Sequence, residues 1–200
     1  ILEDKRGNLW CGTRDGLSCY NGKSFANHKN LNGITNNVIR CMLEDSSGNL
    51  WFGTTKGLFF LASDSIGASG DVGGITRYNT AEVLAHNTIL SMLKDQDENC
   101  WFSTAGGLSY FNGHDFINYT NLNGLPNTLI VSMVEDKSGN FWFASPDGLL
   151  RLDRNWKSLE AKKVFTNITV PANNTGISTY GVSYAPGNNS VTGILEDKMG

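Results

Sequence analysis

The sequence has little of what usually announces chemistry. It holds three histidines, at 28, 86 and 114, too scattered to form a nucleophile–base constellation. Charged residues make up 18% of the chain, and its net charge is −3. The lysines and arginines never gather into a run, which argues against a nucleic-acid surface. No apolar stretch approaches the roughly 20 residues that span a bilayer, and no signal peptide is visible. The chain opens inside one copy of a repeat and stops inside another, so it reads as a piece of a longer protein, with any targeting or membrane segment outside it. Four cysteines, at 11, 19, 41 and 100, show no metal-ligand spacing. They stand in slots that other copies of the repeat fill with Phe, Tyr, Leu or Ser, so they read as buried free thiols. A disulfide stays open if the compartment is oxidising.

What the chain does have is repetition. Gly48-Asn49-Leu50-Trp51-Phe52-Gly53-Thr54 returns as Gly7-Asn8-Leu9-Trp10-Cys11-Gly12-Thr13, as Glu98-Asn99-Cys100-Trp101-Phe102-Ser103-Thr104, and as Gly139-Asn140-Phe141-Trp142-Phe143-Ala144-Ser145. Each copy follows an apolar run ending in an acidic pair or near-pair, such as Met42-Leu43-Glu44-Asp45, and a fifth copy starts at Ile194-Leu195-Glu196-Asp197. Successive tryptophans are 41, 50 and 41 residues apart. That period fits four-stranded propeller blades. The 23 glycines suit an all-β chain with many turns. In the second unit the strands are expected over Val38–Glu44, Leu50–Thr54, Leu58–Leu61 and Ile75–Tyr78. The fold expected is therefore an all-β propeller of four blades plus partial ends, with four antiparallel strands per blade. The units run over 1–36, 37–87, 88–128, 129–189 and a truncated 190–200.

The unequal spacings locate insertions. The segment Ala62 to Gly74, rich in Ser, Gly and Asp, reads as a flexible surface loop. Trp156 stands in an added, otherwise polar stretch of the fourth unit, and a long connection follows it, carrying Tyr180 and Tyr184. The shared residues read as structural. Asp45, Asp95 and Asp136 open tight hairpins, where a carboxylate accepts turn N–H groups, and Gly48 supplies positive φ. These turns are too short for an EF-hand-like calcium loop. Trp10, Trp51, Trp101 and Trp142 are expected to fill the wedge between neighbouring blades. Cys41, Ser91, Ser132 and Gly193 share one slot on the innermost strand, where blades converge.

The pattern Ile-Leu-Glu-Asp-x-x-Gly-Asn-Leu-Trp-x-Gly-Thr-x-x-Gly-Leu, matched almost position for position by residues Val38 to Leu58, resembles the two-component regulator propeller repeat. The resemblance implies a propeller, usually seven-bladed, in the periplasmic sensor region of a bacterial hybrid two-component protein. Many of those respond to carbohydrate, and a histidine kinase usually follows. It also implies a non-catalytic segment placed periplasmically or extracellularly in an inner-membrane protein. The partners implied are a small-molecule or oligosaccharide ligand, the remaining blades and downstream signalling domains, and a homodimer, with no nucleic acid. No cofactor or metal is implied. Departures occur at Glu98-Asn99-Cys100 and at Ser145-Pro146.

Ligand contacts are expected where the copies disagree, on the loops of one propeller face. The candidates are Arg14, Arg40, Lys56, His86, Asn127, Tyr180 and Tyr184. Arg40 replaces Leu90, Val131 and Thr192 on the inner strand, so its bidentate fork can meet water or an anionic group such as a uronate or sulfate. Two other readings stay open. One is a propeller enzyme of the streptogramin-lyase or glycan-processing type, and the other is a protein-interaction scaffold.

Overall fold

The alternation of β-branched and aromatic residues with Gly-containing turns sets a ladder of short antiparallel strands. The computed structural model describes residues 1–14, 16–28, 38–67, 70–80, 83–126, 129–156, 165–168, 183–184 and 191–194. The first blade comprises β1 (Leu2–Glu3), β2 (Leu9–Thr13), β3 (Gly16–Tyr20) and β4 (Phe25–His28). The second comprises β5 (Cys41–Glu44), β6 (Leu50–Gly53), β7 (Leu58–Leu61) and β8 (Thr76–Tyr78). The third comprises β9 (Ile89–Lys94), β10 (Cys100–Thr104), β11 (Gly107–Phe111) and β12 (Phe116–Tyr119). The fourth comprises β13 (Ser132–Glu135), β14 (Phe141–Ser145), β15 (Gly148–Leu152) and β16 (Phe165–Ile168), and β17 (Ser183–Tyr184) pairs with β18 (Val191–Gly193). Each of the four sheets keeps sequence order across its strands. The first strands of the second, third and fourth sheets, β5, β9 and β13, lie side by side, and β18 lies against β13, which makes them the inner strands of a β-propeller arc.

The expected strands of the second unit are found, the first starting three residues later and the second and fourth each one residue shorter. Residues 38–40 precede the ladder, because the Ile39 amide donates to the Thr13 carbonyl of the first blade, 3.3 Å away. That bond ties Ile39 to the neighbouring blade, while the Arg40 amide already bonds its own sheet at the Gly53 carbonyl.

Convergence at the inner strands explains the small residues there. Cys41 is paired with Gly53, Ser91 with Ser103 and Ser132 with Ala144. A Cβ added at Gly53 would lie 2.5 Å from Cys41 Sγ and 2.7 Å from Ile89 Cγ2 of the next blade. At Gly12 it would lie 2.6 Å from Ile39 Cγ2. The glycine of each Gly-Thr pair is thus displaced volume, taken up by the isoleucine of the following blade.

The four tryptophans do the packing between blades. Trp10 is buried with Leu50, Phe52, Phe59 and Leu61 of the second blade. The Trp51 ring lies 5.3 Å from both Phe102 and Phe111 of the third blade. Trp101 lies 4.9 Å from Phe141 of the fourth. Trp142 and Ile194, where the next copy begins, both pack against the cluster of Ala144 and Leu149. On its own sheet each buried indole carries a second ring stacked on it: His28 on Trp10, Tyr78 on Trp51 and Tyr119 on Trp101, at 6.3, 6.0 and 6.0 Å.

Seams between blades are also latched by the glutamate of the acidic pair. Glu44 accepts the Lys5 amide at 3.0 Å, and Glu135 accepts the Gln96 amide at 2.7 Å. At the middle seam Lys94 stands in that slot and reaches Ser46 Oγ instead, at 3.4 Å. Burial raises the Glu135 carboxyl above its ordinary range, and the nearby Asp95, Asp97 and Asp136 carboxylates add to this against the lowering effect of the Gln96 amide.

The segment after β7 corrects the expectation of a flexible loop. Ser63–Ser65 form a 3-10 turn, and Ile66 bridges Val72. Ile66 is buried in the cluster around Trp10, while Arg6 donates to the Ile66 and Ser63 carbonyls at 2.8 and 2.7 Å. His28 Nε2 lies 2.8 Å from the Gly70 carbonyl. A buried aliphatic side chain and three side-chain hydrogen bonds hold this segment on the first blade. Trp156 acts alike in the fourth unit. It is buried edge-on against Trp101, Tyr110 and Tyr119 at 5.4, 5.2 and 5.9 Å.

Candidate functional site

The repeated residues are consumed by folding. Asp45 Oδ1 accepts the Ser47 and Asn49 amides at 3.0 and 2.9 Å, and its Oδ2 accepts Asn49 Nδ2 and Trp51 Nε1 at 3.0 and 3.1 Å. Asp4, Asp95 and Asp136 hold Trp10, Trp101 and Trp142 in the same way, at 2.8, 3.1 and 2.8 Å. The aspartate therefore closes its hairpin and fixes the indole that packs on the next blade. The bond to the indole is the part that sequence reasoning missed, although the constant Asp, Asn, Trp spacing (i, i+4, i+6) carried the signal. Burial pushes the Asp4 and Asp136 carboxyls up, but donors from the tryptophan, the asparagine and the turn outweigh it and hold both below the usual carboxylate range. Gly7, Gly48 and Gly139 take positive φ in these turns, and Glu98 takes it at +70° in the third.

The hydroxyl of each Gly-Thr pair is likewise spent locally. Thr54 Oγ1 donates to the Gly57 carbonyl at 2.8 Å and accepts the Lys56 amide at 3.0 Å, and Thr104 and Ser145 repeat the device. Three of the four thiols are not available either. Burial pushes Cys19 up to about 11 and Cys41 and Cys100 up to about 12. All four cysteines are free.

What remains is at the opposite ends of the strands from the aspartate turns. The corner formed by residues 53–57 gathers three of the expected site residues. The amide of Arg40 donates to the Gly53 carbonyl at 2.8 Å, which seats Arg40 beside the corner. Lys56 lies in the corner itself and is exposed. The loop of His86 is tied to it from the next blade: the Ile89 amide donates to the Thr54 carbonyl at 2.8 Å, and Thr88 Oγ1 donates to the Thr55 carbonyl at 3.4 Å. His86 Nδ1 accepts the Thr88 amide at 3.0 Å, which leaves the proton of the neutral ring on Nε2, facing away from the backbone. Arg14 is exposed on the equivalent corner of the first blade, next to the Thr13 carbonyl that receives Ile39.

Arg77, which sequence reasoning did not single out, joins this group. Its Nε donates to the Lys56 carbonyl at 3.0 Å, its Nη2 does the same, and its guanidinium lies 6.0 Å from the Phe59 ring centre. No sequence pattern marks it, because its partner is a backbone carbonyl 21 residues away. Of the other expected residues, Tyr184 falls in β17, while Asn127 and Tyr180 lie outside the described residues. Among the described residues no group of three or more His, Cys, Asp or Glu could hold a metal ion. The corner thus presents exposed cations, and the loop tied to it carries an imidazole N–H beside Gly106 of the third blade, donors suited to carboxylate, sulfate or hydroxyl groups. Among the described residues, no helix is long and apolar enough to cross a membrane.

Two segments of the chain, residues 33–56 and 124–147, match the family model described as two component regulator propeller. A search of curated proteins returned no match. Among solved structures, the chain is similar to the extracellular domain of a protein described as a hybrid two component system from B. thetaiotaomicron, at 18% identity and TM-score 0.56, over 92% of this chain and 32% of that one. It is similar to PorZ, described as a surface component of the type-IX secretion system of Porphyromonas gingivalis, at 16% identity and TM-score 0.60, over 83% of this chain and 26% of that one. It is also similar to virginiamycin B lyase from Staphylococcus aureus, at 14% identity and TM-score 0.61, over 91% of this chain and 57% of that one. At these identities the likeness concerns the propeller fold. The chain spans about a third of the length of the two-component domain it resembles.

Proposed function

We propose, from the premise that the chain carries two-component regulator propeller repeats, that it is the non-catalytic sensing module of a bacterial two-component signalling protein. It binds a carbohydrate or another small extracellular ligand and passes the signal to a kinase that is not part of this chain. The family match over residues 33–56 and 124–147 carries the reading. The chemistry of the corner at residues 53–57 supports a ligand with acidic or hydroxyl-rich groups, held by Arg40, Lys56 and His86, with Arg14 at the next corner. Of the other readings, the enzyme has a fold likeness behind it, in virginiamycin B lyase. It would need a general base within reach of substrate. His86, an exposed loop histidine, already spends Nδ1 on the Thr88 amide.

The test is a thermal-shift screen of the protein against neutral, uronic and sulfated oligosaccharides, with product analysis of every hit. The expected result is a saccharide that raises Tm by mass action and is recovered intact. A hit that is turned over overturns the non-catalytic reading, and a panel with no hit overturns the carbohydrate class.

A further inference from the structure

The three seams between the four blades are not alike at the aspartate-turn end of the sheets. There each seam has a slot above the buried tryptophan of the preceding blade, walled by the residues of its third and fourth strands. At the first seam Ile66 fills it, against Trp10 and Cys19. At the third seam Trp156 stands in it, against Trp101, Tyr110 and Tyr119, and leaves a smaller cavity of about 190 Å³ beside itself. Both fillers come from the added segment that follows the third strand of the next blade.

The third unit has no such segment. Its β11–β12 connection is a tight turn, with the Asn112 amide donating to the Asp115 carbonyl at 3.2 Å. The middle slot is consequently an open cavity of about 270 Å³ between the second and third blades, lined by Trp51, Phe60, Tyr78 and Phe111 with Asp45, Ser47 and Glu98 at its rim. Phe60 and Tyr78 are half-buried, whereas their counterparts Tyr110 and Tyr119 under Trp156 are 3% and 8% exposed. The volume lies below the range of about 300–1,000 Å³ typical of small-molecule pockets, and suits a single large side chain.

We propose that this middle slot is a docking site for a peptide turn of a partner protein that inserts one aromatic or branched apolar side chain among Phe60, Tyr78 and Phe111, the rings that cover the buried Trp51. Two considerations point to a peptide. The two equivalent slots are each filled by a polypeptide segment, so the walls are shaped for one. The third-seam filler also brings Arg154, two residues before Trp156, to the cavity that Asp97 and Glu135 line. Glu98 and Asp45 supply acidic groups at the rim of the open slot, so the partner's turn carries an arginine or lysine beside its apolar residue. The slot lies at the far end of the strands from Arg40, Lys56 and His86, and the proposal does not depend on the sensing role.

The chain's own filler is the natural probe. A capped synthetic peptide of residues 152–158, Leu-Asp-Arg-Asn-Trp-Lys-Ser, would be titrated to millimolar concentration into ¹⁵N-labelled protein, following the indole N–H signals. The Trp51 signal should shift saturably, while those of Trp10 and Trp101, whose slots are filled, stay in place. A peptide with glycine for its tryptophan should produce no shift. The variant Ser47→Trp, which plugs the rim with its own indole, should weaken binding at least about tenfold. A Trp51 signal that does not move, one that moves equally with the glycine peptide, or equal movement of all the tryptophans would overturn the proposal. The glycine peptide keeps the proposal open to refutation even if the plugged variant does not fold.

Discussion

Replacing Asp95 by alanine tests the aspartate–tryptophan staple at one of its two most buried copies. Asp95 is 5% exposed, and its carboxylate accepts the Asn99 amide at 2.7 Å and Trp101 Nε1 at 3.1 Å, with Asn99 Nδ2 at 3.1 and 3.2 Å from its two oxygens. Without it, the indole N–H is left inside a cluster of Phe141, Phe143, Leu150 and Trp156, and the turn amide loses its acceptor. A buried donor left unsatisfied costs about 1–3 kcal/mol, so two of them, one only partly buried, cost about 2–4 kcal/mol. Urea unfolding followed by far-ultraviolet circular dichroism reads this as a lower midpoint at unchanged slope. The exposed Asp64→Ala, which loses only a 3.3 Å contact with Ser65, should stay within about 0.5 kcal/mol. The mechanism itself is read by a double-mutant cycle. If Asp95 acts by satisfying the indole, Asp95→Ala should cost about 1–2 kcal/mol less in a Trp101→Phe background, because no N–H is then orphaned. Losses that add to within about 0.5 kcal/mol would refute the staple and leave Asp95 with the turn alone.

Other expectations follow from the same packing. Ser103 is fully buried and its hydroxyl has no hydrogen-bond partner among the described residues, whereas the fourth blade has Ala144 in that slot. Ser103→Ala should therefore raise stability, by about 1 kcal/mol in urea unfolding. Gly53→Ala should lower it by about 1–3 kcal/mol, because the added methyl meets Cys41, Ile89 and Met92 within 2.8 Å. Acid should unfold the protein in a defined window. Asp4 and Asp136 titrate lower when folded than the ordinary aspartate value near 3.9, so the stability they contribute is present above about pH 4 and is lost as pH falls through their depressed values. Glu135 is shifted upward and works in the opposite sense, gaining stability as it protonates on acidification. Unfolding midpoints measured from pH 7 to pH 2.5 should fall below pH 4, and Asp136→Asn should make that fall shallower.

The blades were legible because a repeat writes the same instruction several times. Four tryptophans in register, four hairpins opened by aspartate and one slot of small residues expose the architecture before any coordinate is seen. The added segments were not legible. Ile66 and Trp156 are single apolar residues among polar neighbours, and a lone side chain has no period to announce its burial. The flexible-loop expectation for Ala62 to Gly74 failed for that reason: the segment is held by Arg6 and His28 of another blade. The glutamate of each acidic pair was visible as a pattern, but its partner sits across a seam 39 residues away. At the candidate site, the disagreement between copies pointed to Arg40, Lys56 and His86, and the structure hangs all three on one corner. Arg77 escaped notice because it joins through a main-chain oxygen.

If the shared residues build the blades, ligand recognition must lie where the copies differ. Calorimetric titration of a saccharide hit from the thermal screen, into the protein and into Arg40→Ala/Lys56→Ala, separates the two roles. Both substitutions fall on exposed side chains, so the ligand-free melting temperature should stay within the small range of surface changes. Binding should weaken at least about tenfold, as expected for loss of charge-assisted contacts. Unchanged affinity in the doubly substituted protein, at unchanged ligand-free stability, would contradict this division between shared and divergent residues.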